Sequence, residues 1–307
     1  MSHDIGLNVD PSNWDISVED RNRRLRLWWM VYMHDKWAAL ALGRPSYINE
    51  DNFNVPLPSP ENFQLHNYGD CSLPGLGILQ FVGMAHLTTI LSDVLATFYS
   101  LRASERLKSY PPELLQTLSN QFEQRLKVFH GEHLAAIYEV EGFLDPTGTI
   151  FLAYYTVQIT LYRALLRYIG PEDINYYILR NSATGVLRDI TSLLQKLTVR
   201  RLRAFWWGQI SNHNFAIAGG FMMSLLLTSI DDAEVHYWTS QIKLYHDLLQ
   251  SQSVSFTTTK MAACRMSLLR QNVESTQGVA GSASSLFAGS SGSKQAFCGD
   301  FRIDVQE

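Results

Sequence analysis

The sequence predicts an all-α protein, a single multi-helix domain followed by a disordered Ser/Gly-rich C-terminal segment. Three observations carry this prediction. Apolar residues recur at helical spacing in segment after segment, and no run alternates with period two in β-branched residues. Pro and Gly punctuate the joins between those segments. Hydrophobic residues make up 46% of the 307 and charged residues 18%, enough apolar surface to bury a large core.

Ser17-Val-Glu-Asp20 reads as a capping box, so a helix is expected from there to Leu42, with Gly43 as its stop and Pro45 two residues on. Pro45, Pro56, Pro58, Pro60 and Pro74 make residues 44–75 a long ordered loop. A second helix is expected from Leu76 to Lys108, ended by Pro111-Pro112, and a third from there to Tyr138. Asp145-Pro146-Thr147 turns the chain into a fourth helix ending at Gly170-Pro171, and Pro171, Glu172 and Asp173 suit the first turn of a fifth. Further helices are expected over about 201–229, 233–250 and 256–272. The apolar run Phe215–Ile230 is shorter than the roughly 20 residues that span a bilayer and reads as a core helix. From Ser275 to Ser293 the composition falls to Ser, Gly, Ala and Thr, which cannot bury enough to offset ordering entropy. The helical domain is therefore placed at 1–273 and the tail at 274–307.

Composition narrows the function. A net charge of −4 argues against a chain that grips nucleic acid over its whole face. Cys71, Cys264 and Cys298 are scattered and odd in number, which suits a reducing compartment and gives no disulfide framework. The first residues do not read as a signal peptide. No G-x-S-x-G, P-loop or G-x-G-x-x-G occurs, and no catalytic, cofactor-binding or metal-binding residue is predicted. His130 and His133 share a helix face without the acidic companions of a metal motif. Asp231-Asp232 lacks the third acid of a terpene synthase metal motif and reads as a helix cap. The basic runs Arg21–Arg26 and Lys196–Arg203 read as the wet faces of amphipathic helices.

The stretch from Leu25 to Pro58 says most. Leu25, Trp28, Trp29, Tyr32 and Ala39 mark a core stripe, and Asp35 falls on it, seven residues after Trp28. A carboxylate there must be paired or hydrogen-bonded. Arg44, held extended by Pro45, is the nearest cation able to turn back past Gly43, so a buried Asp35–Arg44 pair is expected.

Those residues also carry a resemblance. Arg24, Trp28, Trp29, Tyr32, Asp35, Gly43-Arg44-Pro45, Ile48 and Val55-Pro-Leu-Pro58, preceded by Ile5-Gly-Leu-Asn-Val-Asp10, resemble the central motif of the fungal-specific transcription factor domain. That domain is the middle, regulatory region of factors with a binuclear zinc cluster. Tyr154-Tyr155 and Leu161-Tyr-Arg-Ala-Leu165 resemble a later helix of it, and the Tyr32-Met-His-Asp-Lys-Trp37 wording resembles the nitrogen-catabolism co-activators. The resemblance implies a nuclear regulator of RNA polymerase II transcription with no catalysis, working with the transcription machinery or other transcription factors and not at a membrane. The family's six cysteines have no counterpart here, so zinc and DNA contact are expected only through a missing N-terminal cluster, and the chain reads as N-terminally truncated. Arg163 on an otherwise apolar helix, with Trp206, Trp207 and His213, forms a candidate pocket for a small-molecule effector, unless these are simply residues of the core. The alternatives are a protein–protein interaction module without an effector and, behind it, an all-helical enzyme.

Overall fold

The computed structural model describes residues 2–63, 75–135, 137, 147–203, 208–254 and 256–284, and the described residues contain helices and no strand. The first helix, α1, runs from Val18 to Leu42. Ser17 caps it by accepting the Asp20 amide, and Gly43 ends it in a left-handed conformation at φ 61°. The Gly43 and Arg44 amides both return to the Ala39 carbonyl, so a glycine is needed there to close the helix end.

The expected second helix is two. α2 (Leu76–Phe98) stops at Tyr99, and α3 (Leu101–Leu107) restarts behind Ser100, whose hydroxyl accepts the Ala103 amide. A serine able to cap is the local reason for the break. α4 (Pro112–Phe129) passes into a π-helical turn, His130–Leu134. Then follow α5 (Thr147–Leu165), α6 (Ile174–Gln195), α7 (Val199–Arg203), α8 (Gly208–Leu227), α9 (Asp232–Ser253) and α10 (Thr257–Ser284). Pro171 and Glu172 precede α6 instead of forming its first turn, because Asp173 serves as the N-cap by accepting the Asn175 amide. α10 runs past the expected boundary at 273 as far as Ser284. Extending a helix already anchored by packing costs far less than nucleating one. Residues 285–307 of the Ser/Gly-rich segment lie outside the described residues.

α2 and α5 form the centre of the bundle, with α1 and α4 against α2, and α6 and α8 against α5; α9 and α10 close the other side over α8. α2 is long and apolar enough to cross a membrane by length and composition, yet two thirds of its most apolar stretch is buried within the protein, as befits a core helix. Gly83 lets it approach α5 closely, since a Cβ there would stand 2.7 Å from Ile150 Cδ1. Phe215, Phe221 and Met222 of α8 are buried, in line with a core role for that apolar run. Hydrogen bonds from buried ring groups fix the helices against one another. Trp37 Nε1 donates to Thr88 Oγ1 between α1 and α2 at 2.9 Å. Tyr99 OH donates to the Thr160 carbonyl of α5 at 2.7 Å, and Tyr245 OH of α9 to the Phe215 carbonyl at 2.9 Å.

Candidate functional site

The α1 stripe and the loop after it form one unit. Trp28, Trp29 and Tyr32 are buried, and their rings surround Phe53 of the loop at centroid distances of 5.1, 6.2 and 5.4 Å. Trp29 Nε1 donates to the Pro56 carbonyl at 2.7 Å, which seats the Val55-Pro-Leu-Pro58 segment. The N-terminal segment lies along the same loop: Asn8 Nδ2 donates to the Asn52 carbonyl, and the Asn54 amide to the Asn8 carbonyl. Arg24 locks that segment down, donating to the Ile5 carbonyl with its guanidinium 4.4 Å from the Trp14 ring centre. The two separate pieces of the sequence motif, 5–10 and 24–58, thus meet in space.

The basic run at the start of α1 is largely consumed by this work. Arg21 donates to the Trp14 carbonyl, Arg26 to the Asn62 carbonyl and to Glu19, and Arg23 faces Glu19 and Asp20. With the Arg24 bond to Ile5, these contacts account for all four arginines of the run without any phosphate.

Asp35 is largely enclosed, its side chain 10% exposed, but its partners differ from those predicted. Its carboxylate accepts the Tyr47 amide at 2.9 Å, the Ile48 amide at 3.0 Å and the Ser46 hydroxyl. Lys36 Nζ stands 3.9 Å away. Arg44 is exposed, so the expected Asp35–Arg44 pair is not formed. The reason is geometric. The left-handed Gly43 and the returned Arg44 amide swing the chain so that the amides three and four residues past Arg44 reach Asp35 first. Three donors satisfy a carboxylate well. Arg44 is left just beyond a helix C-terminus, a favourable place for a cation, and Pro45 beside it is exposed too.

Lys36 went unnoticed in the sequence although it sits seven residues after Trp29 and four after Tyr32, on the same stripe. It is only 3% exposed. Its ammonium donates to Ser46 Oγ at 2.7 Å and to the Ile48 carbonyl at 2.6 Å, and it meets Glu50 at 3.1 Å. Glu50 also accepts from Tyr32 OH at 2.9 Å and from Ser92 of α2 at 2.7 Å. Burial, helped by the charge of Glu50, pushes the Tyr32 hydroxyl well above the usual tyrosine range, so it stays a neutral donor. No sequence signal marks Glu50, which arrives from the loop only when the loop is closed.

A second buried cation, Arg180, joins α6 to α9. Arg180 donates to Glu234 at 2.7 Å, to Thr228 at 2.9 Å, to the Leu225 carbonyl at 2.7 Å and to Tyr176 OH at 3.3 Å. Burial alone would raise Glu234, but the Arg180 guanidinium and the Ile230 amide outweigh it and hold the carboxyl below its usual value. Asp231 caps α9 by accepting the Glu234 amide at 2.7 Å, as read from the sequence.

His133 lies on the π-helical turn and packs on His86 of α2, ring centres 4.5 Å apart, and on Phe129. His130 packs on Tyr154. Burial lowers the titration of both His86 and His133; for His86 the neighbouring His133 lowers it further, while Glu132 opposes the shift. Among the described residues no group of three or more His, Cys, Asp or Glu could hold a metal ion.

Of the candidate effector residues, Trp206 and Trp207 lie outside the described residues. Arg163 is half-buried near Tyr99, and His213 is half-buried on α8, a helix that packs on the α5 helix of Arg163. Two surface cavities among the described residues, of about 380 and 270 Å3, are lined by other residues.

Comparison with known proteins agrees with the motif. Residues 1–127 match the family model described as the fungal specific transcription factor domain. The chain is 24% identical over 88% of its length to the transcriptional activator protein DAL81 of Saccharomyces cerevisiae, of which it covers 32%. It is 27% identical over 56% of its length to an uncharacterized transcriptional regulatory protein of Schizosaccharomyces pombe, of which it covers 25%. Over 38% of its length it is 34% identical to an ABC-transporter-regulating transcription factor of Aspergillus oryzae, of which it covers 13%. The chain thus spans a third or less of the length of these relatives. No solved structure matches. The α1 stripe, the loop it holds and the N-terminal segment all fall within residues 1–127, the stretch of the chain that is similar to the fungal specific transcription factor domain.

Proposed function

We propose that this chain is the helical regulatory domain of a fungal zinc-cluster transcription factor, acting in the nucleus on RNA polymerase II transcription and catalysing nothing. The observation that carries this reading is the joining of the two motif pieces, 5–10 and 24–58, into one closed unit inside the family match. Such a unit positions surfaces and holds no reacting groups. DNA contact and zinc belong to a cluster elsewhere in the parent protein, and the partners of this domain are the transcription machinery or other transcription factors. Likeness to the activator DAL81, with the Tyr32–Trp37 wording, supports a role in nitrogen-catabolic genes.

Effector sensing is the second reading. It rests on Arg163 and His213, which stand on packed helices, with His213 shortly after Trp206 and Trp207 in sequence. The alternative is a protein–protein interaction module without an effector.

The experiment is a reporter assay with the chain fused to an unrelated DNA-binding domain. Transcription should depart from that of the bare DNA-binding domain and respond to nitrogen source. Output identical to the bare domain under every nutrient condition would refute the regulatory reading. A response that Arg163→Ala and His213→Ala leave unchanged would refute effector sensing alone.

A further inference from the structure

The cavity of about 270 Å3 beside the start of α1 lies where three pieces of the chain meet: the N-terminal segment, the helix and the Val55-Pro-Leu-Pro58 segment. Its volume falls just under the roughly 300–1,000 Å3 of ordinary ligand pockets, so it suits a small molecule.

Arg21 gives the lining a cation. It donates through Nη2 to the Trp14 carbonyl at 3.0 Å and, among the described residues, makes no other hydrogen bond and no ion pair. Its Nε is shut away from solvent with no acceptor. A donor left in that state is costly, and an anion that reaches the guanidinium relieves it. Asn22, next in the lining, accepts from Asn62 at 3.0 Å, and its own amide nitrogen has no acceptor among the described residues. Asp10 gives the same lining an anion. Its Oδ1 accepts the Ser12 amide at 3.0 Å and the Ser12 hydroxyl at 2.6 Å, while its Oδ2 accepts nothing among the described residues. Three apolar side chains complete the features that matter: Leu25, which is buried, and Val18 and Leu57, which are 60% and 40% exposed and gain from being covered.

A cation and a carboxylate that line one small cavity without pairing match a ligand that carries both opposite charges. We propose that this cavity binds a free α-amino acid with an apolar side chain. The ligand carboxylate accepts from Arg21 and Asn22, its ammonium donates to Asp10, and its side chain lies against Val18, Leu25 and Leu57. A plain carboxylic acid would set like charge against Asp10, and a plain amine would do so against Arg21. A peptide bears its two charges at opposite ends and offers them one at a time. Occupancy ties the N-terminal segment to α1 and to the loop. The proposal does not depend on the transcriptional reading: binding is measured on the chain alone, and either can fail without the other.

Isothermal titration calorimetry of the whole chain with L-leucine, L-valine and L-phenylalanine in turn reads the result. At least one should bind saturably and raise the melting temperature as its concentration rises. The amide of that amino acid lacks the carboxylate and its N-acetyl form lacks the ammonium; each should bind roughly thirtyfold more weakly, the scale of a lost charged hydrogen bond. Asp10→Asn, which keeps an acceptor for Ser12, should weaken binding by a similar factor without moving the melting temperature of the unliganded chain. Arg21→Gln, which can still donate to the Trp14 carbonyl, should do the same. No saturable heat with any of the three up to the millimolar range would overturn the proposal. So would an amide or N-acetyl form that binds as tightly as the amino acid, or binding that both variants leave unchanged. Tighter binding of the dipeptide leucyl-leucine than of leucine would overturn it too, by marking a peptide site.

Discussion

Lys36 and Arg180 are both buried cations on helices, 3% and 5% exposed, yet they organise different things. Lys36 gathers groups ten to fourteen residues ahead of it, Ser46, the Ile48 carbonyl and Glu50, and so folds a loop back onto its own helix. Arg180 reaches 45 to 54 residues ahead, to the Leu225 carbonyl, Thr228 and Glu234, and ties α6 to the α8–α9 turn. The difference suits the side chains. A guanidinium presents five donors in a fixed fork and can hold several distant groups at once, whereas an ammonium is a point charge with three donors. Burying a charge near its sequence partners shapes a surface; burying one far from them joins helices.

Removing the distant staple should cost most. Arg180→Ala strands the Glu234 carboxylate and the Leu225 carbonyl, and chemical denaturation should show a loss of about 3–5 kcal/mol. Arg180→Met, which keeps more of the packing, should lose less. A loss from Arg180→Ala no greater than that of a surface substitution would mean that α6 and α9 are held by apolar contacts alone.

The loop clamp should cost less. Asp35→Asn keeps one acceptor oxygen but removes the charge beside Lys36, and a loss of about 1.5–3 kcal/mol is expected, the scale of a hydrogen bond to a charged group. The denaturant midpoint measures it, and an unchanged midpoint would separate Asp35 from the stability of the loop.

Acid should act on a third place, the His86–His133 stack. Both imidazoles titrate below their usual value in the folded protein, so the unfolded chain binds protons that the folded chain resists. Stability should therefore hold above the ordinary histidine value, about pH 6.5, and fall as the pH drops through it. Replacing His86 with Gln should flatten that slope, and an equal slope in the variant would place its origin elsewhere. Smallest of all, Arg44→Ala should leave the melting temperature unchanged, because the carboxylate it was expected to satisfy is already satisfied.

The sequence conveyed the helices well where end signals are local. Ser17, Gly43 and Asp231 act where they were read, because capping depends only on the next few residues. It failed at Tyr99-Ser100, where a cap interrupts an apolar run that periodicity alone continues. At the site, burial of Asp35 was legible from its spacing. Its partners were not, since backbone amides carry no residue identity and any loop residue can supply one. Lys36 lies on the same spacing, but a lysine on a core stripe carries no mark of its partners, which all come from the loop. The Arg180–Glu234 pair, 54 residues apart in sequence, left no pattern to read.

The central claim is that Asp35, and not Arg44, holds the loop after α1. Amide hydrogen exchange at Tyr47 and Ile48 tests it most directly, since both amides donate to the Asp35 carboxylate and exchange reports local opening. Both should exchange slowly in wild type and equally slowly in Arg44→Ala, and much faster in Asp35→Ala while amides in the core of α5 stay protected. Fast exchange in Arg44→Ala, or protection that survives Asp35→Ala, would contradict the account.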